Sequence, residues 1–332
     1  MHKAVCRERQ AKRMGEEWGR AEDRAMYFAY AAVNDDTRSM QQLIDGLEAA
    51  LRTKKALAKH HAAAVRAFVN SIDHRITGTA AIPAAGSGSL KALRLLHRHG
   101  ADLDLADPIH GSTPCGTAAQ RGNEASIRLL AAMRADLDAP CTTSGSRSLH
   151  CACMLGYTEA AEALLRLRAD VNAQDEGGRE ASWRAASCGH DRCLHLLISA
   201  RASLAADESG TTPLSVAAQE GRESAVFMLA QARSSLDQPR RDGRTPIAAA
   251  TTSMHEAVVL LLAHLGARLT LPDGQAFWVR YDTREHFIHH YDLWRRIIDA
   301  AGDEAAEAST VGTPAGIGSN SATRGDPQHA RV

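Results

Sequence analysis

Aromatic residues are scarce, at 4% of the 332 residues, although hydrophobic residues as a whole reach 44%. Alanine and leucine supply most of that apolar set. Such a composition suits many short, closely packed helices, whereas a sheet sandwich draws on β-branched and aromatic residues. An excess of charge is also missing, since Lys plus Arg and Asp plus Glu each total 39. A balanced chain has no global field to draw it onto nucleic acid or an anionic membrane. No apolar run approaches the roughly 18 residues of a membrane span. Met1 to Arg24 is rich in Arg, Glu and Lys and holds no apolar stretch of the secretory-leader kind. The seven cysteines (Cys6, Cys115, Cys141, Cys151, Cys153, Cys188 and Cys193) are odd in number, which fits reduced thiols. A cytoplasmic protein is expected, with a nuclear location as the variant.

Catalytic motifs are equally wanting. The sequence has no G-x-S-x-G elbow and no G-x-x-x-x-G-K-[ST] phosphate loop. Gly86-Ser87-Gly88-Ser89 is glycine-rich but lacks the lysine. Cys151-x-Cys153 is tighter than zinc spacing, and its side chains leave a helix about 200° apart. These cysteines, with Cys141, Cys188 and Cys193, read as small buried thiols. His286, His289 and His290 share a helical face without the H-E-x-x-H arrangement, and read as the wet outer face of a cap. The expectation is no enzyme, no cofactor and no metal.

What the chain does have is a period. Glycines recur at Gly78, Gly111, Gly145, Gly178, Gly210, Gly243 and Gly274, and a second series runs Gly88, Gly122, Gly156, Gly189 and Gly221. Both keep a step near 33, and Met254 takes the next place in the second series. Thr113-Pro114, Thr212-Pro213 and Thr245-Pro246 each open a helix, with threonine as cap and proline at the first helical position. Small pairs follow at Ala84-Ala85, Ala118-Ala119, Ala185-Ala186 and Ala217-Ala218. A second helix then carries apolar sets: Leu93, Leu95, Leu96; Ile127, Leu129, Leu130; Ala161, Ala163, Leu164; Leu194, Leu196, Leu197; Val226, Met228, Leu229; Val259, Leu261, Leu262. One helix pair cannot bury both faces alone, so neighbouring units must share a core.

Period and motif together resemble the ankyrin repeat, whose signature is T-P-L-H-x-A at about 33 residues. Thr212-Pro213-Leu214 with Ala217-Ala218, Thr245-Pro246-Ile247, and Leu149-His150 with Ala152 carry the likeness. The resemblance implies an all-α, ankyrin-type helical repeat solenoid of stacked helix-turn-helix units, five to six in number, with degenerate terminal capping helices. Departures are visible. Family repeats place glycine after the second helix; Gly100 and Gly266 keep it, but Arg134, Arg168, Arg201 and Arg233 replace it, at about 1 kcal/mol or more each. Glu180-Ala181 and Arg147-Ser148 stand for Thr-Pro, and Trp183 stands for histidine. The middle units are expected to be the least regular.

The organisation expected is a charged extension over 1–24, a degenerate helical cap with an inserted helix over 25–77, the array over 78–273, a cap helix region over 274–300 and a disordered tail over 301–332. In the N-terminal cap, Ala31-Ala32, Met40, Leu43, Ile44 and Leu47 form one apolar face, and Leu51, Leu57, Val65, Phe68 and Val69 another. Phe277, Trp278, Tyr281, Phe287, Ile288, Tyr291, Trp294 and Ile297 read as a C-terminal seal.

The resemblance also implies where a protein partner sits: on loop tips between units and on the exposed ends of first helices. By position these include His110, Glu176, Arg179, Glu208, Arg241 and Arg244 at the tips, and Arg121, Met154, Leu155 and Glu220 at the helix ends. Met154-Leu155 is apolar where solvent is expected. Trp183, one unit on, reads either as a third exposed anchor or as a filler between units. Acidic Glu176 and Asp207-Glu208 and basic Arg240, Arg241 and Arg244 could orient a partner through on-rate. The function implied is a monomeric adaptor or scaffold that binds a protein, not nucleic acid or membrane. The alternative is a regulatory or substrate-recognition arm of an enzyme complex, with the chemistry in the flanks or in a partner.

Overall fold

A computed structural model describes residues 21–52, 61–72, 78–141 and 143–268. Among these residues the chain forms fifteen α-helices and no extended strand. The anticipated C-terminal seal, the three-histidine face, the tail and Cys6 lie outside the described residues.

Six helix pairs make the array. The inner helices are α4 (Ala81–Ser87), α6 (Pro114–Gln120), α8 (Ser148–Leu155), α10 (Ala181–Cys188), α12 (Pro213–Gln219) and α14 (Pro246–Thr252). The outer ones are α5 (Leu90–Arg98), α7 (Glu124–Ala132), α9 (Thr158–Arg166), α11 (Asp191–Ser199), α13 (Glu223–Gln231) and α15 (Glu256–His264). We number the pairs repeats 1 to 6. Each inner helix packs on the next inner helix and on its own outer helix, giving two layers with one continuous core.

The sequence features act as expected. Thr113, Thr212 and Thr245 accept from the backbone N–H groups of Gly116, Ser215 and Ala248 at 3.0, 3.0 and 3.4 Å, and proline follows each. The alanine pairs are fully buried, and Ala152-Cys153 takes their place in repeat 3. In the outer helices the first and third members of each apolar set are buried. Leu129, Leu196, Met228 and Leu261, about 100° round the helix from the third member and about 160° from the first, are half-buried. Where Arg147 replaces threonine, the His150 ring caps instead: Nδ1 accepts from the Arg147 N–H at 2.9 Å, and Nε2 lies 3.1 Å from the Arg179 carbonyl. Burial holds His150 below its ordinary pKa, which keeps it neutral for both roles.

The cap ahead of the array consists of α1 (Ala21–Val33), α2 (Thr37–Arg52) and α3 (His61–Val69). Met40 and Ile44 are fully buried, and Phe28 packs on Phe68 with ring centroids 5.0 Å apart. Asp35 accepts from the Ala92 N–H at 2.8 Å, so the α1–α2 turn is fastened to repeat 1.

Side chains also join unit to unit. Along one edge, the N–H groups of Asp102, Asp136, Asp170 and Ser203 donate to Asn70, Asp104, Asp138 and Asn172, at 2.7–3.0 Å. The rung after Asn172 falls on Ala205, which has no acceptor, and Asp237 resumes the row by accepting from the Arg268 N–H. Burial, with repulsion from Asp102 and Asp136, raises Asp104; burial, with repulsion from Asp136 and Asp170, raises Asp138.

Candidate partner-binding face

The loop tips are fixed at their base by one recurring residue. Asp107 accepts from the N–H groups of Ile109, His110 and Ser112 at 2.6–2.9 Å. Asp175 and Asp207 do the same in repeats 4 and 5. Burial alone would raise Asp175, but the Arg179 N–H, the Arg184 guanidinium and the Gly177 N–H outweigh it and hold the carboxyl low. Cys141 and Arg240 occupy this place in the other two tips. Burial would raise the Cys141 thiol, but Thr143 and Ser144 donate to it and bring it down. Arg240 turns inward and donates to Ser215 Oγ at 2.8 Å, the Ser215 carbonyl at 3.2 Å and Gln219 Oε1 at 2.7 Å.

Neighbouring tips are bonded into a strip. Thr143 Oγ1 donates to the His110 carbonyl at 2.8 Å. The N–H groups of Glu176, Glu208 and Arg241 donate to the carbonyls of Ser144, Gly177 and Ser209 at 3.0–3.2 Å. The tip residues proposed from sequence therefore share one edge. The side chains of His110, Glu176, Glu208 and Arg241 are exposed, while Arg179 and Arg244 are half-buried. Arg244 is paired with Asp242 at 3.0 Å, so its charge is partly spent within its own tip.

The helix ends fall in register, one per repeat. Arg121, Leu155 and Glu220 are exposed, with half-buried Cys188 between the last two. Met154 and Leu155 are 37% and 43% exposed, and Tyr157 in the following turn is 39% exposed. Trp183 is not the third member of this group. Its ring packs against the core, with the Arg179 and Arg184 guanidinium carbons 5.2 and 5.7 Å from its centroid. Both arginines also reach Asp175, Arg184 at 2.6 Å and Arg179 at 3.8 Å. Trp183 is thus half-buried, stacked with two arginines of its own repeat, and Tyr157 is the exposed ring at this helix end.

The cysteines are mixed too. Cys115, Cys151, Cys153 and Cys193 are buried as expected, but Cys141 and Cys188 are half-buried because a tip and a helix end hold them at the surface. Among the described residues no cluster of His, Cys, Asp and Glu is arranged to hold a metal. A hollow of about 470 Å³ on the outer side, lined by Arg128, Leu137, Asp138 and Leu167 among others, is open to solvent.

A family model for ankyrin repeats matches the chain in three overlapping copies, over residues 80–175, 149–242 and 182–273. The chain belongs to the ankyrin-repeat family. Ankyrin repeats are in general protein–protein interaction modules. No curated protein matches the chain. Among the described residues no helix is long and apolar enough to cross a membrane.

Two features of this ankyrin array were hidden from sequence reading. Arg240 bridges back 21 and 25 residues, and only the column Asp107, Cys141, Asp175, Asp207, Arg240 hints at its place. The residues after the second glycine series also cover the preceding repeat. A Cβ on Gly122, Gly156, Gly189 or Gly221 would come within 2.6–2.8 Å of Tyr157, His190, Arg222 or His255. His190 Nε2 lies 3.0 Å from the Met154 carbonyl, and Arg222 Nε donates to the Ser187 carbonyl at 3.3 Å.

Proposed function

We infer that this chain is a protein-binding adaptor that seats a partner segment across its inner-helix ends and loop tips, anchored on repeat 3. One observation carries the reading. The helix-end pairs of the other repeats from 2 to 6 are Gln120-Arg121, Ser187-Cys188, Gln219-Glu220 and Thr252-Ser253, each with at least one polar member and no aliphatic side chain. Repeat 3 alone puts Met154 and Leu155 there, exposed and followed by Tyr157. The exposed surface of these apolar side chains supplies the desolvated anchor around which interfaces concentrate their energy. Arg121 on repeat 2 and Glu220 on repeat 5, with the tips, supply a polar rim that tunes specificity. In this reading the chain acts as a monomer in the cytoplasm or nucleus, without catalysis or cofactor of its own.

Quantitative affinity capture with the full chain tests the reading. Met154→Asp with Leu155→Asp should remove captured proteins that wild type retains. Phe227→Asp, which charges an apolar residue 46% exposed on outer helix α13, should keep them. Identical capture by all three chains would refute the proposal.

A further inference from the structure

The junction between repeats 3 and 4 holds a thiol pair. Cys153 of α8 occupies the place that is Ala85, Ala119, Ala186, Ala218 and Thr251 in the other inner helices. Cys193 of α11 occupies the place of Ala92, Ser126, Ala160, Ala225 and Val258 in the other outer helices. Both sites are small-residue sites of the core, and only this junction puts sulfur in both. Both cysteines are 0% exposed and lie in the same core cluster. The Cys153 thiol sits in hydrogen-bonding contact with Cys193. Thr158 Oγ1, at the start of α9, is 3.6 Å from the Cys193 sulfur. We propose that Cys153 and Cys193 are an inter-repeat oxidation site, closing to a disulfide when the chain meets a hydroperoxide.

The contact makes the two thiols unequal. Hydrogen bonding to Cys193, then burial, pushes Cys153 up, and the same bond, helped by Thr158, brings Cys193 down. Cys193 is therefore the attacking thiolate. It takes one peroxide oxygen as the O–O bond breaks, giving a sulfenic acid and hydroxide, which takes up a proton to become water. The Cys153 sulfur then attacks the sulfenic sulfur; its hydroxide leaves and departs as water with the Cys153 proton. Two thiols are oxidised by two electrons, and one hydrogen peroxide becomes two waters. A peroxide is small enough to reach the pair during local opening, whereas bulkier oxidants are held off by burial. The bond would tie the inner helix of repeat 3 to the outer helix of repeat 4.

The test treats the full chain with hydrogen peroxide, blocks the remaining thiols, and maps unreduced tryptic peptides by mass spectrometry. Peptide 148–166 should appear linked to peptide 193–201, with a mass loss of about 2 Da relative to the two thiols. Cys153→Ala, which installs the residue that four of the other inner helices carry there, should abolish the link. Cys151→Ala, in the same peptide, should leave it in place. The proposal is overturned if Cys153 and Cys193 both remain alkylatable once half-buried Cys141 and Cys188 are oxidised. It is also overturned if the link follows Cys151 instead of Cys153.

Discussion

Each repeat contains two turns with the same backbone conformation and different chemistry. The turn between inner and outer helix has φ of 68, 77, 74 and 69° at Gly122, Gly156, Gly189 and Gly221. The turn after the outer helix has φ of 62, 67, 58 and 63° at Arg134, Arg168, Arg201 and Arg233. A left-handed backbone would disfavour any side chain equally at either turn. The neighbourhood separates them. The first turn lies beneath a side chain of the next repeat, so a Cβ collides. The second is less crowded: a Cβ on Gly100 would meet only the flexible Arg66 side chain, at 3.0 Å, and one on Gly266 would meet nothing within 4 Å among the described residues. Glycine is thus imposed by contact at one turn and only by conformation at the other, where arginine is tolerated.

The largest effect expected is at the crowded turn. Gly156→Ala forces left-handed alanine against the His190 ring and disturbs its contact with the Met154 carbonyl, at a cost of about 2–3 kcal/mol and roughly 5–10 °C in Tm. Gly266→Ala should cost only the conformational part, about 1 kcal/mol. Equal losses by thermal melting would erase the distinction between the turns. A smaller effect, of opposite sign, is expected from Arg168→Gly: a gain of about 0.5–1 kcal/mol in urea unfolding, from relieved strain. A loss there would mean that the arginine makes a contact worth more than its strain.

The smallest effect lies in the carboxylate row beside the less crowded turn. Asp104 and Asp138 ionise less readily folded than at the ordinary aspartate value of 3.8. Wild-type stability from this source is full below that value and declines as pH rises through the raised folded values. Asn keeps the acceptor for the Asp136 and Asp170 N–H groups, as Asn70 and Asn172 already do in this row. Asp104→Asn with Asp138→Asn should therefore raise Tm by about 1–2 °C near pH 7, since exposed charges are screened. The gain should vanish near pH 3. A gain that persisted there would contradict electrostatic origin. The tips behave oppositely: Asp107 and Asp175 are held low by backbone donors, so their contribution is present above 3.8 and lost as pH falls.

Much of this was readable in the sequence because a repeat writes its local chemistry several times. Thr-Pro caps, the alanine pairs and both glycine series each encode contacts within one unit, and their period betrays the fold. Contacts between units are less legible. The stacking of His190 over Gly156 links residues whose relation appears only when repeats are laid side by side. Trp183 could not be placed because its exposure depends on two arginines and on Asp175, which the sequence does not show converging on one site. Arg240 was assigned to a charged tip, yet it folds inward because Ser215 and Gln219 offer three acceptors within reach.

The binding site at repeat 3 is the claim on which the functional account turns, and amide hydrogen exchange of the full chain with and without a captured partner tests it most directly. Protection should appear at the turn from Met154 to Thr158 and at the adjacent tips around Ser144 and Glu176. Protection confined to the outer helices, α13 among them, with no change at that turn, would contradict it.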